Sequence, residues 1–404
     1  MSSSIAFLTF LREAGFTFYS GVPDSALRGF CAAIDSRDDI QHVPAANEGA
    51  AVGLGIGWHL ASGEVPAIYL QNSGLWNALN PHFTLAHQMV YDIPVLFIVG
   101  WRGRPGSKDE PQHRSSGAAT ESILRMMGIT PFIIESWDDD TAVRASRYLG
   151  ENRIRSSAFL VPLGVFDDRQ ASLDRSELNG EPSRSEVMTT ILDYVTAEDL
   201  VVAGIGHTGR ELYAARLKRN AGPAELLRDF LCVGGMGYAL QVAIGAALCQ
   251  RARRIWCIEG DGSFLMHLGT AALVGIVDDL PLIYVLLDNG THASVGGQPT
   301  ACRSLDYAAV AKTLGFAAVE KASSIPEVEL TLRRLLLQKG PQFLWVRIAN
   351  EPDLALPRPD ESLTDRKRAV MELLKSKARL TGDRESGNSG HGISKGVPTP
   401  KPKS

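Results

Sequence analysis

Short apolar runs alternate with helix-forming segments along almost the whole chain, and this alternation limits the folds open to it. Apolar runs bounded by helices are typical of buried parallel strands, which need helical crossovers between them. The sequence therefore predicts an α/β fold of two similar domains, each a mainly parallel sheet covered by helices on both faces. The predicted strands are residues 16–20, 40–44, 66–71, 95–100, 131–135 and 158–163, then 200–203, 230–233, 254–258, 282–287, 317–319 and 343–348. The predicted helices between them include residues 75–89, 120–127 and 264–277.

One polar stretch, residues 167–184, interrupts the alternation. It contains Asn179-Gly180 and Pro182, which favour turns, so we expect a linker at 168–184 between domains at 1–167 and 185–376. Two domains suit a chain of 404 residues. Residues 377–404 are dense in Gly, Ser, Pro and Lys and are predicted to be a disordered tail.

Composition excludes several classes of function. A formal net charge of −4 argues against a nucleic-acid surface, and no apolar run is long enough for a membrane span. Residues 5–11 are too short and lack the preceding basic residues of a signal peptide, so we expect a cytoplasmic protein. The five cysteines are scattered and suggest no metal or redox motif.

Two polar turns at the ends of neighbouring predicted strands indicate a metal site. Asp261 follows the strand at 254–258 and is flanked by Gly260 and Gly262, and Asn289 follows the strand at 282–287. The glycines allow a close backbone approach, and the N–H groups that open the next helix suit a phosphate. Carboxylate and amide oxygens favour Mg²⁺ over zinc. A Gly-Asp-Gly alone is more often a simple turn, but its placement here favours the metal.

These turns resemble the signature of thiamine diphosphate enzymes, and the resemblance implies their fold and cofactor. It implies that Asp261, Asn289 and the carbonyl of Thr291 hold Mg²⁺, which in turn holds the diphosphate near Gly260, Gly262 and Ser263. Asp288 stands where the family usually has a second asparagine. The resemblance also implies that residues 1–167 bind the aminopyrimidine and residues 185–376 bind the diphosphate and Mg²⁺.

The aminopyrimidine side of the cofactor requires a carboxylate. Glu48 lies among small apolar residues after the second predicted strand, a context that should raise its pKa by desolvation. By the same resemblance Glu48 is the cofactor-activating acid, and Met236, with Gly235 before it, supports the bent cofactor. The alternatives are a carboxylate favoured by a helix N-terminus for Glu48 and ordinary core packing for Met236.

A glycine-rich loop supports a rival interpretation. Residues 204–209 match G-x-G-x-x-G between a strand and a helix, with Glu225 and Asp229 about twenty residues further on, as in nicotinamide-dependent oxidoreductases. In the thiamine diphosphate family the corresponding strand ends at the diphosphate, so Gly206, His207 and Thr208 are candidate cofactor contacts. The oxidoreductase interpretation explains neither Asp261 with Asn289 nor Glu48.

Four polar stretches at the other strand ends are residues 20–25, 71–77, 100–113 and 294–300. Together they resemble the phosphonopyruvate decarboxylase family, and the resemblance covers nearly the whole chain, with sulfopyruvate decarboxylases close to it. The implied reaction is decarboxylation of 3-phosphonopyruvate to phosphonoacetaldehyde and CO₂ in phosphonate biosynthesis. The alternatives are sulfopyruvate or another 2-oxo acid, the oxidoreductase, and a non-catalytic member. We expect a proton relay from Asp24 and His113, although each charged side chain could be a solvated loop residue. Candidate substrate contacts are Ser25, Asn72, Arg102, Lys108, His113 and His292.

Assembly follows from the same resemblance. It implies a homodimer or homotetramer with active sites between subunits, in which the domain of Glu48 faces the diphosphate domain of another copy.

Overall fold

Two parallel six-stranded sheets, one in each half of the chain, form the frame of the molecule. The computed structural model describes residues 2–166, 180–276, 279–302, 304–350 and 356–375. The strands of the first sheet are β1 Phe18–Gly21, β2 Gln41–Pro44, β3 Ala67–Gln71, β4 Leu96–Trp101, β5 Phe132–Ile133 and β6 Ser157–Pro162. Those of the second are β7 Leu200–Ala203, β8 Phe230–Leu231, β9 Ile255–Gly260, β10 Leu282–Asp288, β11 Ala318–Ala322 and β12 Gln342–Arg347.

Helices cover both faces of each sheet, as predicted. The first half contains α1 Ser3–Glu13, α2 Arg28–Asp35, α3 Glu48–Ser62, α4 Leu75–Pro81, α5 Pro111–Met126 and α6 Asp139–Glu151. The second contains α7 Arg184–Leu192, α8 His207–Lys218, α9 Pro223–Leu226, α10 Ala239–Cys249, α11 Asp261–Met266, α12 Tyr307–Leu314, α13 Ile325–Leu335 and α14 Leu363–Lys375. In β9, Ile255 and Cys257 join one core cluster and Trp256 and Ile258 the other, so both faces are buried.

The two sheets have the same strand order. It is β2-β1-β3-β4-β6-β5 in the first half and, starting from the opposite edge, β8-β7-β9-β10-β12-β11 in the second. The strand order reverses between β1 and β3, and equally between β7 and β9, since later strands are added on opposite sides of these positions. Open parallel sheets bind ligands outside the carboxyl ends of their strands at this reversal. The loop at 204–209 follows β7 and Asp261 follows β9, so two predicted motifs meet at that position.

Three helix predictions were wrong in their bounds. The helix predicted at 120–127 begins at Pro111, where proline suits the first turn, so His113 lies on a helix and not in a loop. The helix predicted at 264–277 begins at Asp261 itself and gives way to the 3₁₀ segment Leu268–Ile276. Within the helix predicted at 75–89, α4 ends at Pro81, and the short π-helical segment His82–Ala86 follows it.

Parts of the predicted organisation lie outside the described residues. These are most of the linker at 168–184 and the tail at 377–404, so the domain boundaries stay a prediction. None of the described helices combines the length and apolar character of a bilayer span.

Candidate active site

Asp261 is a buried carboxylate at the carboxyl end of β9. Its Oδ2 accepts a hydrogen bond of 2.7 Å from Thr300 Oγ1, and only 2% of the residue is exposed. Burial, and then the charge of Asp288, raises its pKa to about 7. A cation beside Asp261 would offset both effects, so the site fits a bound metal.

The turn after β10 supplies amide and carbonyl oxygens. Asn289 Oδ1 accepts from the Thr291 N–H at 3.2 Å, while Asn289 Nδ2 and Thr291 Oγ1 lie 3.4 Å and 3.0 Å from Asn350 Oδ1. Asp288 accepts from Gly290 N and Trp345 Nε1, so its carboxylate is engaged at the sheet end. The described residues contain no group of three His, Cys, Asp or Glu that could hold a metal. One carboxylate, one amide and one carbonyl suit Mg²⁺ instead.

Met236, Gly262 and His292 come together beside this turn. A Cβ added to Gly262 would lie 3.2 Å from Met236 Cε and 2.8 Å from His292 Cε1, so only glycine fits between them. Gly235 has a φ of +65°, which glycine adopts without strain. Burial lowers the pKa of His292 to about 4, which keeps the ring neutral. Gly260 ends β9, and Ser263 is buried in α11.

The loop before α8 turns at a glycine with a positive φ. Gly206 has a φ of +84°, and a Cβ there would lie 3.2 Å from Ser294 Oγ. His207 and Thr208 open α8 and are buried. Arg216 pairs with Asp229 through two hydrogen bonds of 3.0 Å, and with Glu225 as well. Both acids that the oxidoreductase interpretation needs are therefore engaged by an arginine.

Glu48 is the first residue of α3 and is 6% exposed. Its Oε2 accepts a hydrogen bond of 2.8 Å from Asn77 Nδ2. A Cβ on Gly74 would lie 2.3 Å from Oε1, so glycine there makes room for the carboxylate. Burial raises the pKa of Glu48 above its usual value, and the hydrogen bond from Asn77 opposes this shift.

The two halves meet near these residues within one chain. Asn47 Nδ2 donates to Met266 O at 3.2 Å, at the end of the helix that Asp261 opens. Glu110 forms ion pairs with Arg210 at 3.4 Å and with Arg358. The implied placement of the site between subunits stays a prediction, because these contacts need only one chain.

Asp24, Ser25 and Arg102, which are predicted to take part in catalysis or substrate binding, lie next to one another. Asp24 is fully buried, and burial raises its pKa to about 6 although Arg102 opposes the shift. Asp24 Oδ1 accepts no hydrogen bond from the described residues. Arg102 Nη1 donates to Ser25 Oγ at 2.7 Å, and its Nε and Nη2 form hydrogen bonds of 2.8 Å and 2.6 Å with Asp109.

The other predicted substrate residues differ in their surroundings. Asn72 Nδ2 donates to the carbonyl oxygen of Arg102 and to Thr120 Oγ1, each at 2.9 Å, and Asn72 Oδ1 accepts from the Arg102 N–H at 3.1 Å. The Asn72 amide therefore holds the backbone of the loop that begins at Arg102. His113 is 8% exposed, and burial, then Arg102, lowers its pKa. Lys108 lines a cavity of about 510 Å³ with Trp101, Arg104, Asp109 and Glu135, among other residues, and neither Arg102 nor His113 lines that cavity.

Sequence reasoning missed four residues of the site. They are Asn77, Asp109, Thr300 and Asn350. Each holds another functional side chain, and each lies far from its partner in sequence or inside a polar loop. No local pattern marks such partners, because only the folded chain brings them together.

Comparison with known protein families gives the class. Residues 1–121 match the N-terminal TPP-binding domain of thiamine pyrophosphate enzymes, and residues 204–346 match the C-terminal TPP-binding domain of the same enzymes. The chain belongs to the thiamine pyrophosphate enzymes. The predicted fold class is thereby confirmed, and the oxidoreductase interpretation loses its support.

Relatives narrow the class to decarboxylases. The chain is 33% identical to phosphonopyruvate decarboxylase of Streptomyces viridochromogenes, over 84% of this chain and 86% of that protein. It is 32% identical to phosphonopyruvate decarboxylase of Streptomyces hygroscopicus, over 89% and 90%. A sulfopyruvate decarboxylase of Methanosarcina acetivorans is 24% identical over 90% and 96%. The resemblance predicted from the motifs is confirmed, and the enzyme is a thiamine diphosphate-dependent decarboxylase.

Proposed function

We propose that this enzyme decarboxylates 3-phosphonopyruvate to phosphonoacetaldehyde and CO₂, in phosphonate biosynthesis, with thiamine diphosphate and Mg²⁺. The observation that carries the proposal is that Glu48 and Asp261 are both buried carboxylates, placed at the starts of α3 and α11. Together these helices offer the carboxylate for the aminopyrimidine and the carboxylate for the metal.

Each candidate residue has a role in this reaction. Asp261, Asn289 and the carbonyl of Thr291 would hold Mg²⁺, and Met236, which lies beside Gly262, would support the cofactor. The bound cofactor supplies a carbon nucleophile and takes up the electrons that CO₂ leaves behind. Glu48 holds a proton at the aminopyrimidine ring, and Asp24 with His113 moves the proton that the product requires.

The substrate is the finer part of the proposal. A phosphonate needs cationic donors, and Arg102 lies beside Ser25 and the buried Asp24. Phosphonopyruvate decarboxylases share more identity with this chain than the sulfopyruvate decarboxylase of Methanosarcina acetivorans. Sulfopyruvate is the second candidate, because its tail is also a tetrahedral anion.

Assembly and location complete the proposal. Large apolar side chains on α3 and after α4 are exposed, with Leu60 at 71%, Met89 at 85% and Tyr91 at 69%. Such surface favours association, and we propose a homodimer or homotetramer. The five free cysteines suit a reducing compartment, and we place the enzyme in the cytoplasm.

One assay tests reaction and substrate together. Aldehyde release is measured from phosphonopyruvate, sulfopyruvate and pyruvate, each with and without added thiamine diphosphate and Mg²⁺. We expect cofactor-dependent turnover with the highest kcat/KM on phosphonopyruvate. A higher kcat/KM on sulfopyruvate would make sulfopyruvate the substrate and leave the proposed mechanism unchanged. No turnover of any of the three acids would overturn the proposal.

A further inference from the structure

We propose that Asp109 is a positioning residue that fixes Arg102 for the acidic tail of the substrate, and so sets the preference for 2-oxo acids with an anionic tail. The inference rests on the proposed function and deepens it. Asp109 would hold the guanidinium of Arg102, a residue of a polar loop, in the orientation that binds an anion.

Asp109 holds the arginine and its own loop at the same time. Its Oδ2 accepts from Arg102 Nε at 2.8 Å and from Gly103 N at 2.7 Å. Its Oδ1 accepts from Arg102 Nη2 at 2.6 Å and from Glu110 N at 2.8 Å. The side chain of Asp109 is 6% exposed and that of Arg102 14%. A bidentate pair of this kind fixes the plane of the guanidinium, which a lysine could not do.

Two N–H groups of Arg102 are left for a further acceptor. An arginine has five N–H groups, and here Nε, one on Nη2 and one on Nη1 are used by Asp109 and Ser25. One N–H on each Nη is left among the described contacts. Burial would raise the pKa of Asp109, but the hydrogen bonds from Arg102 outweigh it and the pKa is lowered. The carboxylate of Asp109 therefore stays charged at neutral pH and keeps its hydrogen bonds with Arg102.

The neighbouring residue ties this loop to the other half of the chain. Glu110 pairs with Arg210 on α8, just beyond the loop at 204–209, and with Arg358. Gln112 donates to Glu110 and lies against Gly234, shortly before Met236. Asp109 is thus anchored beside the candidate cofactor loops, and Arg102 is held at a fixed distance from them.

The same loop offers a matched control. Arg104 forms a second bidentate pair with Glu135, at 2.7 Å and 2.6 Å, but the side chain of Glu135 is 61% exposed, against 6% for that of Asp109. Asp109→Asn and Glu135→Gln therefore make the same chemical change at two arginine pairs. Only the first should affect the substrate.

The test compares KM and kcat of both variants on phosphonopyruvate and pyruvate. We expect Asp109→Asn to raise KM for phosphonopyruvate by about 10-fold or more and to leave KM for pyruvate within about 2-fold. Glu135→Gln should leave both values near those of the wild type. Equal increases on both acids, or no difference between the variants, would overturn the inference while the proposed function stands.

A second variant guards against misfolding. Ser25→Ala removes only the Nη1 hydrogen bond, and we expect a smaller increase in KM in the same direction, again confined to phosphonopyruvate. A Ser25→Ala enzyme that shows no such split, when Asp109→Asn does not fold, would also overturn the inference. Absence of turnover by the wild type on every acid would overturn the proposed function and this inference together.

Discussion

Asn47 Nδ2 lies 3.2 Å from the carbonyl oxygen of Met266. This hydrogen bond joins the start of the helix that Glu48 opens to the end of the helix that Asp261 opens. Asn47 also caps α3 by accepting from Ala50 N at 2.8 Å, and Glu48 follows it directly. Met266 ends α11, which begins at Asp261. A small shift of either helix would therefore change the distance between the two carboxylates.

Glu48→Gln should lower kcat by about 10²-fold or more, because an amide cannot share the proton that the aminopyrimidine needs. The side chain keeps its size, so Asn77 and Gly74 should still accommodate it, and the melting temperature should stay close to that of the wild type. Steady-state turnover with saturating cofactor measures the effect. Glu121→Gln, an exposed change on α5, serves as the control. Near-normal turnover of Glu48→Gln would remove this role.

Asp261→Asn should weaken Mg²⁺-dependent binding of thiamine diphosphate by at least about 10-fold, since the metal loses its only charged ligand in the proposed set. Quenching of tryptophan fluorescence during a cofactor titration, with and without Mg²⁺, gives the Kd independently of turnover. Asp306→Asn, which changes an exposed helix cap of α12, is the matched control. An unchanged Kd for Asp261→Asn would show that the metal lies elsewhere.

Asp24→Asn should stabilise the protein at neutral pH and not at pH 4. Burial raises the pKa of Asp24 to about 6 from 3.8, so the folded state binds the proton more tightly than the unfolded state. The wild type therefore loses stability as the pH rises from about 4 to about 6, by about 3 kcal/mol if the whole shift is realised. Urea unfolding of both proteins at pH 4.5 and pH 7 measures this difference. A constant difference between the two pH values would contradict the shifted pKa.

The strands could be predicted from the sequence, because buried parallel strands are continuous apolar runs that end at turn residues. The strand Leu200–Ala203 has the predicted bounds, and β4 and β6 differ from prediction by a single residue. Helix α5 could not be placed in the same way. Its first turns are polar, and the contacts of Glu110 and Gln112 with the other half make them helical only in the folded chain.

The residues of the candidate site also fall into two groups, those that a local motif predicts and those that only the folded chain brings together. Asp261, Asn289, Glu48 and Met236 stand in local motifs, and the structure gives each a setting that suits its predicted role, although those roles stay predictions. Asp109 and Asn350 act through partners, and partners depend on which strand ends become neighbours. Lys108 and His113 are both predicted substrate contacts, but Lys108 lines a cavity that His113 does not line.

Mixed oligomers of Glu48→Gln and Asp261→Asn chains decide whether each site forms within a chain or between two. The family resemblance implies sites between subunits, so one site of a mixed dimer should combine an intact Glu48 with an intact Asp261 from two chains. We expect co-expressed, doubly tagged oligomers to recover turnover that neither parent shows, with wild-type chains purified in the same way as the control. The contacts of Asn47 with Met266 and of Glu110 with Arg210 lie within one chain, and if each site closed within one chain, every site of a mixed oligomer would carry one defect. A mixed oligomer as inactive as either parent would therefore contradict placement of the sites between subunits.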